Sequence, residues 1–457
     1  MSPKRRYPIL WLILLLLPAL LPAQERTDLQ RILERLERLE QENRNLAEEV
    51  HALRSELAGA RTPAPGAIAT VAPVNVSQAP LEERVAVTEQ RTEELSQSRV
   101  EAGQRLPVTL TGMVLFNAFL NGHANGGAQA PLTAAPIDSV SGSGAGLSQS
   151  IIGLRFEGPR VLGGGRVRGT IDMDLWGGTS SSLNHLVRMR VASIQIDWKN
   201  RTLMAGQDKP IIAERDPESL SQVAFSPLTA AGNLWLWQPQ VRFEQRFAMG
   251  ENAGVRARAS VYQTSEPTAS AGSYQSSLST ARPALQGHFQ FWRQFGTGTR
   301  IEIAPGFHTS QTRVDGISIP SRLFTIDWLI QPLAKVQVTG TYFHGRNAAG
   351  VGGLRQGFTI TGVDRFAAVR ASGGWAQFAY LATNRLTFNV YAGQESDRAA
   401  DLLRGQIARN FAYAANARYR IGSNVLLGVE ANQVRTTYVG GVTRLVDHYD
   451  LALGYLF

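Results

Sequence analysis

The last nine residues of the chain, Tyr449–Phe457, read YDLALGYLF and decide the fold. The odd positions are large and apolar, whereas the even positions before Leu456 are small or acidic. Successive side chains of a β-strand point to opposite faces, so this alternation predicts a strand with one apolar and one polar face.

The same two-residue period begins at Val108 and continues to the C-terminus. It is clear in Gly165–Trp176 and again in Gly254–Tyr262, where Val and Ala alternate with Arg and Ser. Strands of about ten residues with this pattern are typical of transmembrane barrels. We predict sixteen strands, at residues 108–120, 147–157, 164–176, 186–199, 201–211, 238–249, 253–264, 284–295, 299–311, 319–331, 333–345, 374–383, 385–395, 409–420, 424–436 and 445–457.

The connections between these strands alternate between long and short. Short links such as 296–298 carry turn residues, and long ones such as 212–237 and 346–373 are rich in Gly, Ala, Ser and Pro. Long outer loops and short periplasmic turns characterise outer-membrane barrels. The expected fold is therefore an all-β transmembrane barrel of about 16 antiparallel strands over residues 107–457, with counts of fourteen or eighteen still open.

The N-terminal residues 1–23 have the layout of a secretory signal peptide. Three basic residues precede an apolar run that ends at Pro22-Ala23. The run is shorter than the ~20 residues of a spanning helix, which favours cleavage over membrane anchoring. The chain has no cysteine, which excludes disulfides and thiolate chemistry.

Residues 24–60 carry an unbroken heptad repeat, which predicts a self-associating coiled-coil helix. The a and d positions are Leu29, Ile32, Leu36, Leu39, Asn43, Leu46, Val50, Leu53 and Leu57. Arg35 and Glu40 are placed for an interchain ion pair, and the Arg–Leu–Glu pattern around them favours a trimer, whereas Asn43 favours a dimer. Residues 61–106 are expected to form a Pro/Ala linker and a short second helix.

Arginine dominates the polar face of the predicted strands. Residues 107–457 contain 32 Lys and Arg against 22 Asp and Glu, a net of +10. Rings of Arg in an aqueous channel favour anions, although wall carboxylates or lipopolysaccharide are alternative partners for them. The candidate pore-lining residues are Arg155, Arg166, Arg168, Arg188, Arg190, Arg242, Arg246, Arg256, Arg258, Arg418 and Arg420.

The segment between the fifth and sixth predicted strands has an unusual composition. It contains mixed charges, at Lys209, Glu214, Arg215, Asp216 and Glu218, and ends in the sequence LWLW at 234–237. Such a segment either folds inward as a constriction or remains a plain surface loop. In the constriction its mixed charges would filter solutes, and the Trp pair is expected to belong to an aromatic girdle at the membrane interface.

Catalytic patterns are absent from the sequence. The seven His residues lack metal-ligand spacing, and the Gly-rich stretches 142–146 and 350–353 precede no helix, so we interpret them as loop glycine. The sequence therefore predicts neither an enzyme nor a metal or cofactor site. Nucleic-acid binding is not expected, because the basic charge is spread along strands of a secreted chain.

These parts together resemble the trimeric DcaP-like porins with an N-terminal periplasmic coiled coil and, more distantly, phosphate-selective porins. The terminal Tyr455 and Phe457 resemble the signal read by the barrel-assembly machinery. The resemblance implies an outer-membrane homotrimer, surrounded by lipid and lipopolysaccharide, whose three pores pass small anionic organic molecules. Lysine is scarce in the barrel, which argues against lysine-based phosphate capture. The alternative is a non-conducting structural barrel that tethers the outer membrane through its coiled coil.

Overall fold

The computed structural model describes residues 108–161, 163–177, 185–263, 278–279, 283–314, 317–362 and 365–457. The signal peptide, the coiled-coil helix and the linker with its second helix lie outside the described residues and stay predictions. The strands are β1 Val108–Asn121, β2 Gly142–Gly146, β3 Ile151–Val161, β4 Gly165–Asp174, β5 Arg188–Asp197, β6 Arg201–Asp208, β7 Gln238–Ala248, β8 Ala253–Tyr262, β9 Leu278–Ser279, β10 Ala284–Gly296, β11 Thr299–Val314, β12 Ile317–Leu333, β13 Val336–Arg346, β14 Phe358–Gly362, β15 Arg365–Ala368, β16 Arg370–Leu381, β17 Leu386–Asp397, β18 Ile407–Ile421, β19 Val425–Tyr438 and β20 Thr443–Leu456.

Sixteen of these strands form one closed antiparallel barrel. Each pairs with its neighbour along the chain, and β1 closes the cylinder by pairing with β20, with Phe116 opposite Leu453. The short strands β2 and β9 pair with β1 and β11, and β14 and β15 form a separate hairpin. The sixteen barrel strands confirm the sequence prediction. Closure of the barrel satisfies the backbone hydrogen bonds of every strand and leaves no exposed sheet edge.

The two faces of the barrel differ as the alternation predicts. On β20 the outward Tyr455 is 53% exposed, whereas the inward Ala452 is 1% exposed. Along β11 the outward Ile303 and Phe307 likewise alternate with buried inward polar groups such as His308. An apolar outer face of this kind is stable when it contacts lipid. No described helix is long and apolar enough to span a membrane.

One detail of the sequence interpretation needs correction. Residues 142–146 are not simply loop glycine, because they form β2 along β1. The alternation on β5 is interrupted by a β-bulge at Arg190, since Asp172 is paired with Val191 while Met173 is paired with Met189. The bulge keeps Arg188 and Arg190 on the inner face and moves the later inward positions to odd numbers.

The outer half of the barrel interior is partly filled by its own loops. Ile212 and Val351, from two different loops, pack with the inward Phe343 in one apolar cluster. The hairpin β14–β15 packs its Phe358 against the inward Val314 and Ile319. These loops occupy interior space beside the strands from β8 to β16.

Candidate functional site: the barrel lumen

The segment 209–237 folds into the barrel and is not a plain surface loop. Ile211, Ile212 and Ala213 are each 1% exposed or less, and they pack on the inner wall through the apolar cluster of Phe343. The Ile211 backbone N–H also donates to the Gln286 amide oxygen at 3.0 Å. Burial of three consecutive apolar residues explains why the segment enters the barrel instead of extending into water.

The middle of this inner segment is tethered by hydrogen bonds to side chains of the wall. Arg215 donates to Asp327 at 3.0 Å and also pairs with Glu302. The Glu218 N–H donates to the Gln377 amide oxygen at 2.6 Å. These partners lie on β11, β12 and β16. Three strands that are far from the segment in sequence therefore fix its position.

The next part of the segment is held from the opposite wall. The Ser219 hydroxyl donates to Glu430 at 2.6 Å, and Asn117 donates to the Leu220 carbonyl oxygen at 2.9 Å. Gln149 accepts from the Val223 N–H at 2.7 Å and donates to the Ser221 carbonyl oxygen at 2.7 Å. The inner segment therefore follows the wall from β10 around to β1 and is a fixed part of the lumen.

Ser221, His448 and Asn121 form a buried hydrogen-bonded chain. The Ser221 hydroxyl lies 2.9 Å from His448 Nε2, and His448 Nδ1 lies 2.6 Å from the Asn121 side-chain oxygen. This order of groups resembles a nucleophile, a base and an orienting amide. However, the cavity beside it measures about 10 Å³, which has room for about one water molecule and not for a substrate. These three hydrogen-bonded side chains therefore fix the inner segment to the wall.

The acidic groups of the inner segment are neutralised by the wall. Arg256 and Arg258 each donate to Glu214 at 2.6 Å, and the Arg258 side chain is only 2% exposed. Burial disfavours the Glu214 carboxylate, but the charges of Arg258 and Arg256 outweigh it and lower its pKa to about 2. Glu218 pairs with Arg418, and Asp216 pairs with Lys209. Each of the three acids thus has a cationic partner.

Behind this contact a second row of charges supports Arg258. His288 lies 2.7 Å from Arg258 and 2.5 Å from Asp327, which is also bound by Arg215. Below the segment a cavity of about 460 Å³ is lined by Arg256, Arg300 and Glu302 together with Gln290 and Gln337. This cavity is therefore lined mainly by polar and charged side chains.

The predicted arginines on β3, β4 and β7 lie on the inner face and pair with acids of the wall or with no described acid, not with the inner segment. Arg155 pairs with Asp172 at 2.6 Å, and Arg168 lies 3.5 Å from Asp197. Arg242 lies 3.3 Å from Asp208, and Arg246 lies 3.6 Å from Glu244. Arg166 on β4 and Arg420 on β18 form no ion pair within the described part of the chain.

Arg188 and Arg190 belong to a different environment, an aromatic cluster inside the barrel. Both approach Asp174, at 2.6 and 3.8 Å, and their guanidinium groups lie 5.5 and 4.7 Å from the Trp237 ring centre. Trp237 packs edge-on against Trp235, which packs against Phe225. The Trp pair therefore stacks on inward arginines, and its placement in a lipid-facing girdle is wrong.

Sequence reasoning missed the neutral polar groups that hold the inner segment. Gln149, Asn117 and Gln377 lie on inward positions or near strand ends, and all are buried. The sequence does carry one signal of the inner segment, the glycine Gly393 in the middle of a strand. Glycine within a strand commonly marks a site where another backbone approaches closely. A Cβ atom at Gly393 would lie 2.3 Å from the Ala231 carbonyl oxygen of the inner segment.

Within the described residues, no group of His, Asp and Glu side chains is arranged to hold a metal ion. No family model matches the chain, and no curated protein matches it in sequence.

The barrel is similar to solved structures of outer-membrane proteins. The outer membrane channel DcaP of Acinetobacter baumannii matches with a TM-score of 0.62 and 16% identity, over 77% of this chain and 97% of that one. The anion-selective porin from Comamonas acidovorans matches with a TM-score of 0.51 and 12% identity, over 77% of this chain and 99% of that one. OmpF of Salmonella typhi, in complex with daunomycin, matches with a TM-score of 0.51 and 12% identity, over 77% of this chain and 97% of that one. The described barrel accordingly shares the fold of these outer-membrane proteins.

Proposed function

We propose that this protein is an outer-membrane porin, a water-filled channel for passive diffusion of small hydrophilic solutes that prefers anions such as organic acids. One observation carries the anion preference. The acids of the inner segment are already paired with cations, whereas arginines that do not contact the segment keep charge that faces the lumen.

The charges of the lumen fall into two groups. Glu214 and Glu218 contribute little free negative charge, because Arg256, Arg258 and Arg418 compensate them. By contrast, Arg166 has no described partner, and the Arg168 side chain is about half exposed and 3.5 Å from its single acid. Guanidinium groups stay charged at every working pH and bind carboxylates with a planar pair of donors. A passing carboxylate would find donors on this wall.

The similar structures are consistent with the proposal. The name of the first describes an outer membrane channel, and that of the second an anion-selective porin. Each name applies to its own protein, and the fold is what the three share with this chain. The residues of this lumen therefore supply the argument for selectivity.

We also propose that the assembled form is a homotrimer. The heptad positions 29–57 would join three helices in the periplasm, with the Arg35–Glu40 pair between chains. Tyr455, whose side chain faces outward from β20, and Phe457, just after this strand, would serve as the assembly signal.

Planar-bilayer recording under a KCl gradient tests the channel and its selectivity. The wild-type protein should give a reversal potential of the anion-preferring sign. Arg166→Gln together with Arg168→Gln should lower the chloride-to-potassium permeability ratio about two- to fivefold. A unit charge attracts an anion by about 1 kcal/mol at 4 Å in water, and screening by salt reduces the effect of the two charges together to about 0.4–1 kcal/mol. The control is Arg435→Gln, an arginine at an outward position of β19, which should leave the ratio unchanged.

Two outcomes would contradict the proposal in different ways. Cation preference of the wild type would overturn the anion claim while leaving the porin intact. A folded protein without conductance, combined with altered envelope spacing after deletion of residues 24–60, would instead favour the tether.

A further inference from the structure

Three arginines stand side by side on the outer, lipid-facing surface of the barrel. Arg322 of β12 is directly opposite Arg346 of β13, and Arg346 is directly opposite Arg370 of β16. Opposed residues of antiparallel strands share a face, and the inward neighbours Leu323 and Ala371 are buried, so the three arginines point outward. With strands about 4.8 Å apart, the row spans about 10 Å.

The row leaves positive charge unpaired. Arg370 pairs with Asp401 through two hydrogen bonds of 2.7 and 2.6 Å. Arg322 and Arg346 have no acidic partner among the described residues, and both are exposed. Like charges placed directly opposite one another destabilise a sheet. An anion from outside the chain would relieve that repulsion.

The height of the row on the barrel identifies the environment of that anion. Arg346 is the last residue of β13, and Val336, beside the short turn, is the first. Ten residue steps of ~3.3 Å along a strand tilted by ~40° give a height of about 25 Å, which is that of the apolar band of an outer-membrane barrel. The arginines therefore lie at the boundary of the band, at the end with the long loops.

The surface directly beneath the row is apolar and exposed. Phe324 and Tyr342, on the same outward face and nearer the membrane centre, are 51% and 44% exposed. They are suited to contact acyl chains. The planar guanidinium groups above them can each donate two parallel hydrogen bonds to two oxygens of a phosphate. This combination of charge above an apolar surface is typical of a bound phosphorylated lipid.

We infer that Arg322 and Arg346, with Arg370 beside them, form a binding site for the phosphorylated glycolipid of the outer leaflet. The inference rests on the proposed outer-membrane location with the long loops outward, and it does not depend on conductance. The site lies outside the barrel, so it is separate from the lumen and from its selectivity.

Native mass spectrometry of the full-length protein with added diphosphoryl lipid A tests the inference. The double variant R322Q/R346Q should bind lipid A at least fivefold more weakly than wild type. The matched control is R293Q, an exposed outward arginine beside the short turn Gly296–Gly298, whose lipid binding should be unchanged. R322K/R346K should bind with intermediate affinity, because the charge is kept but the paired guanidinium donors are lost.

A second probe separates phosphate recognition from binding to the apolar belt. A lipid A analogue without phosphates should bind wild type and R322Q/R346Q equally and weakly. Equal binding of diphosphoryl lipid A to wild type and R322Q/R346Q would overturn the inference, as would equal losses in R293Q. A change of oligomeric state in R322Q/R346Q would assign the row to a contact between copies of the chain. Single-channel conductance of the double variant should match wild type, so failure of this inference is distinguishable from failure of the channel proposal.

Discussion

Replacing Arg215 should release the inner segment from the wall. Arg215 is 16% exposed in its side chain and bridges Glu302 and Asp327, which are 7% and 1% exposed. Removing one member of a buried ion pair leaves the other charges unpaired in a poorly solvated site, which typically costs 3–5 kcal/mol. The variant Arg215→Leu keeps the volume of the side chain roughly constant and removes the charge.

The expected cost lies at the lower end of that range. Glu302 keeps contacts with Arg300 and Gln290, and Asp327 keeps His288 at 2.5 Å. We therefore expect about 3 kcal/mol, which corresponds to a roughly 150-fold shift of the local equilibrium between docked and released segment. An exposed surface pair would by comparison contribute only 0–1 kcal/mol.

Thiol labelling measures this equilibrium, because the natural chain contains no cysteine. Ala213 is 1% exposed, so Cys introduced by Ala213→Cys reacts with a water-soluble reagent only when the segment opens. With rapid reclosing, the labelling rate follows the open population and should rise on the order of 100-fold in R215L. The control Arg420→Leu removes an inward arginine without a described ion pair and should leave the rate unchanged.

Two results would refute this reasoning. Labelling of R215L/A213C within twofold of A213C would show that the ion pairs do not hold the segment. Adding Glu302→Gln and Asp327→Asn should remove the stranded charges and return the rate toward its original value. If it stays high, the loss comes from packing and not from charge.

Three further predictions address the charge, the aromatic cluster and the assembly. Glu214→Gln should raise the chloride-to-potassium permeability ratio severalfold in bilayers, because Arg256 and Arg258 lose their anionic partner. The Glu214 pKa is lowered to about 2 from 4.5, so its stabilising contribution is complete above about pH 4.5 and is lost as the pH falls through 2. The difference in reversal potential between wild type and E214Q should therefore be constant from pH 5 to 8; a difference that vanishes near pH 5 would contradict the pairing. Trp237→Ala should cost about 3–5 kcal/mol of stability and increase current noise, because Arg188 and Arg190 lose the ring on which they stack; thermal unfolding and single-channel recordings check both, and wild-type values for both would argue against the cluster. Leu36→Asp with Leu39→Asp should convert the proposed trimer to monomers in size-exclusion chromatography with light scattering, and an unchanged mass would disprove the role of the coiled coil.

The barrel was predictable because its rules are local. The period of two places each side chain on a face, and the turn residues and loop lengths define the strands. All sixteen expected strands occur, and all of their ends differ by four residues or fewer. The short strands β2 and β9 and the β14–β15 hairpin were missed. β2 is rich in Gly and has no alternation, and β14 carries only the brief alternation Phe358–Thr361 within a long loop.

The lumen was less predictable because its contacts are not local. Glu218 meets Gln377 and Arg418, which are 159 and 200 residues away in sequence. Composition identified the charges of the inner segment but not their partners, and the partners decide whether a charge acts on a solute. The two-residue alternation predicts that Arg166 and Arg256 both face the lumen. Only the fold shows that Arg256 pairs with Glu214, whereas Arg166 has no acidic partner among the described residues.

The pairing pattern also explains why the inner segment can be both charged and fixed. A constriction made of unpaired acids would repel itself and would oppose anions, whereas here Arg215, Arg256, Arg258 and Arg418 join the segment to three parts of the wall. The charges that hold the segment therefore cancel locally, and positive surplus is left on arginines that do not contact the segment, such as Arg166 and Arg168 of β4. Glu214 both holds the segment and compensates Arg256 and Arg258, whereas Arg166 and Arg168 act on solutes alone. It follows that substitutions of Arg166 and Arg168 should change selectivity without releasing the segment, whereas substitution of Arg215 should release it.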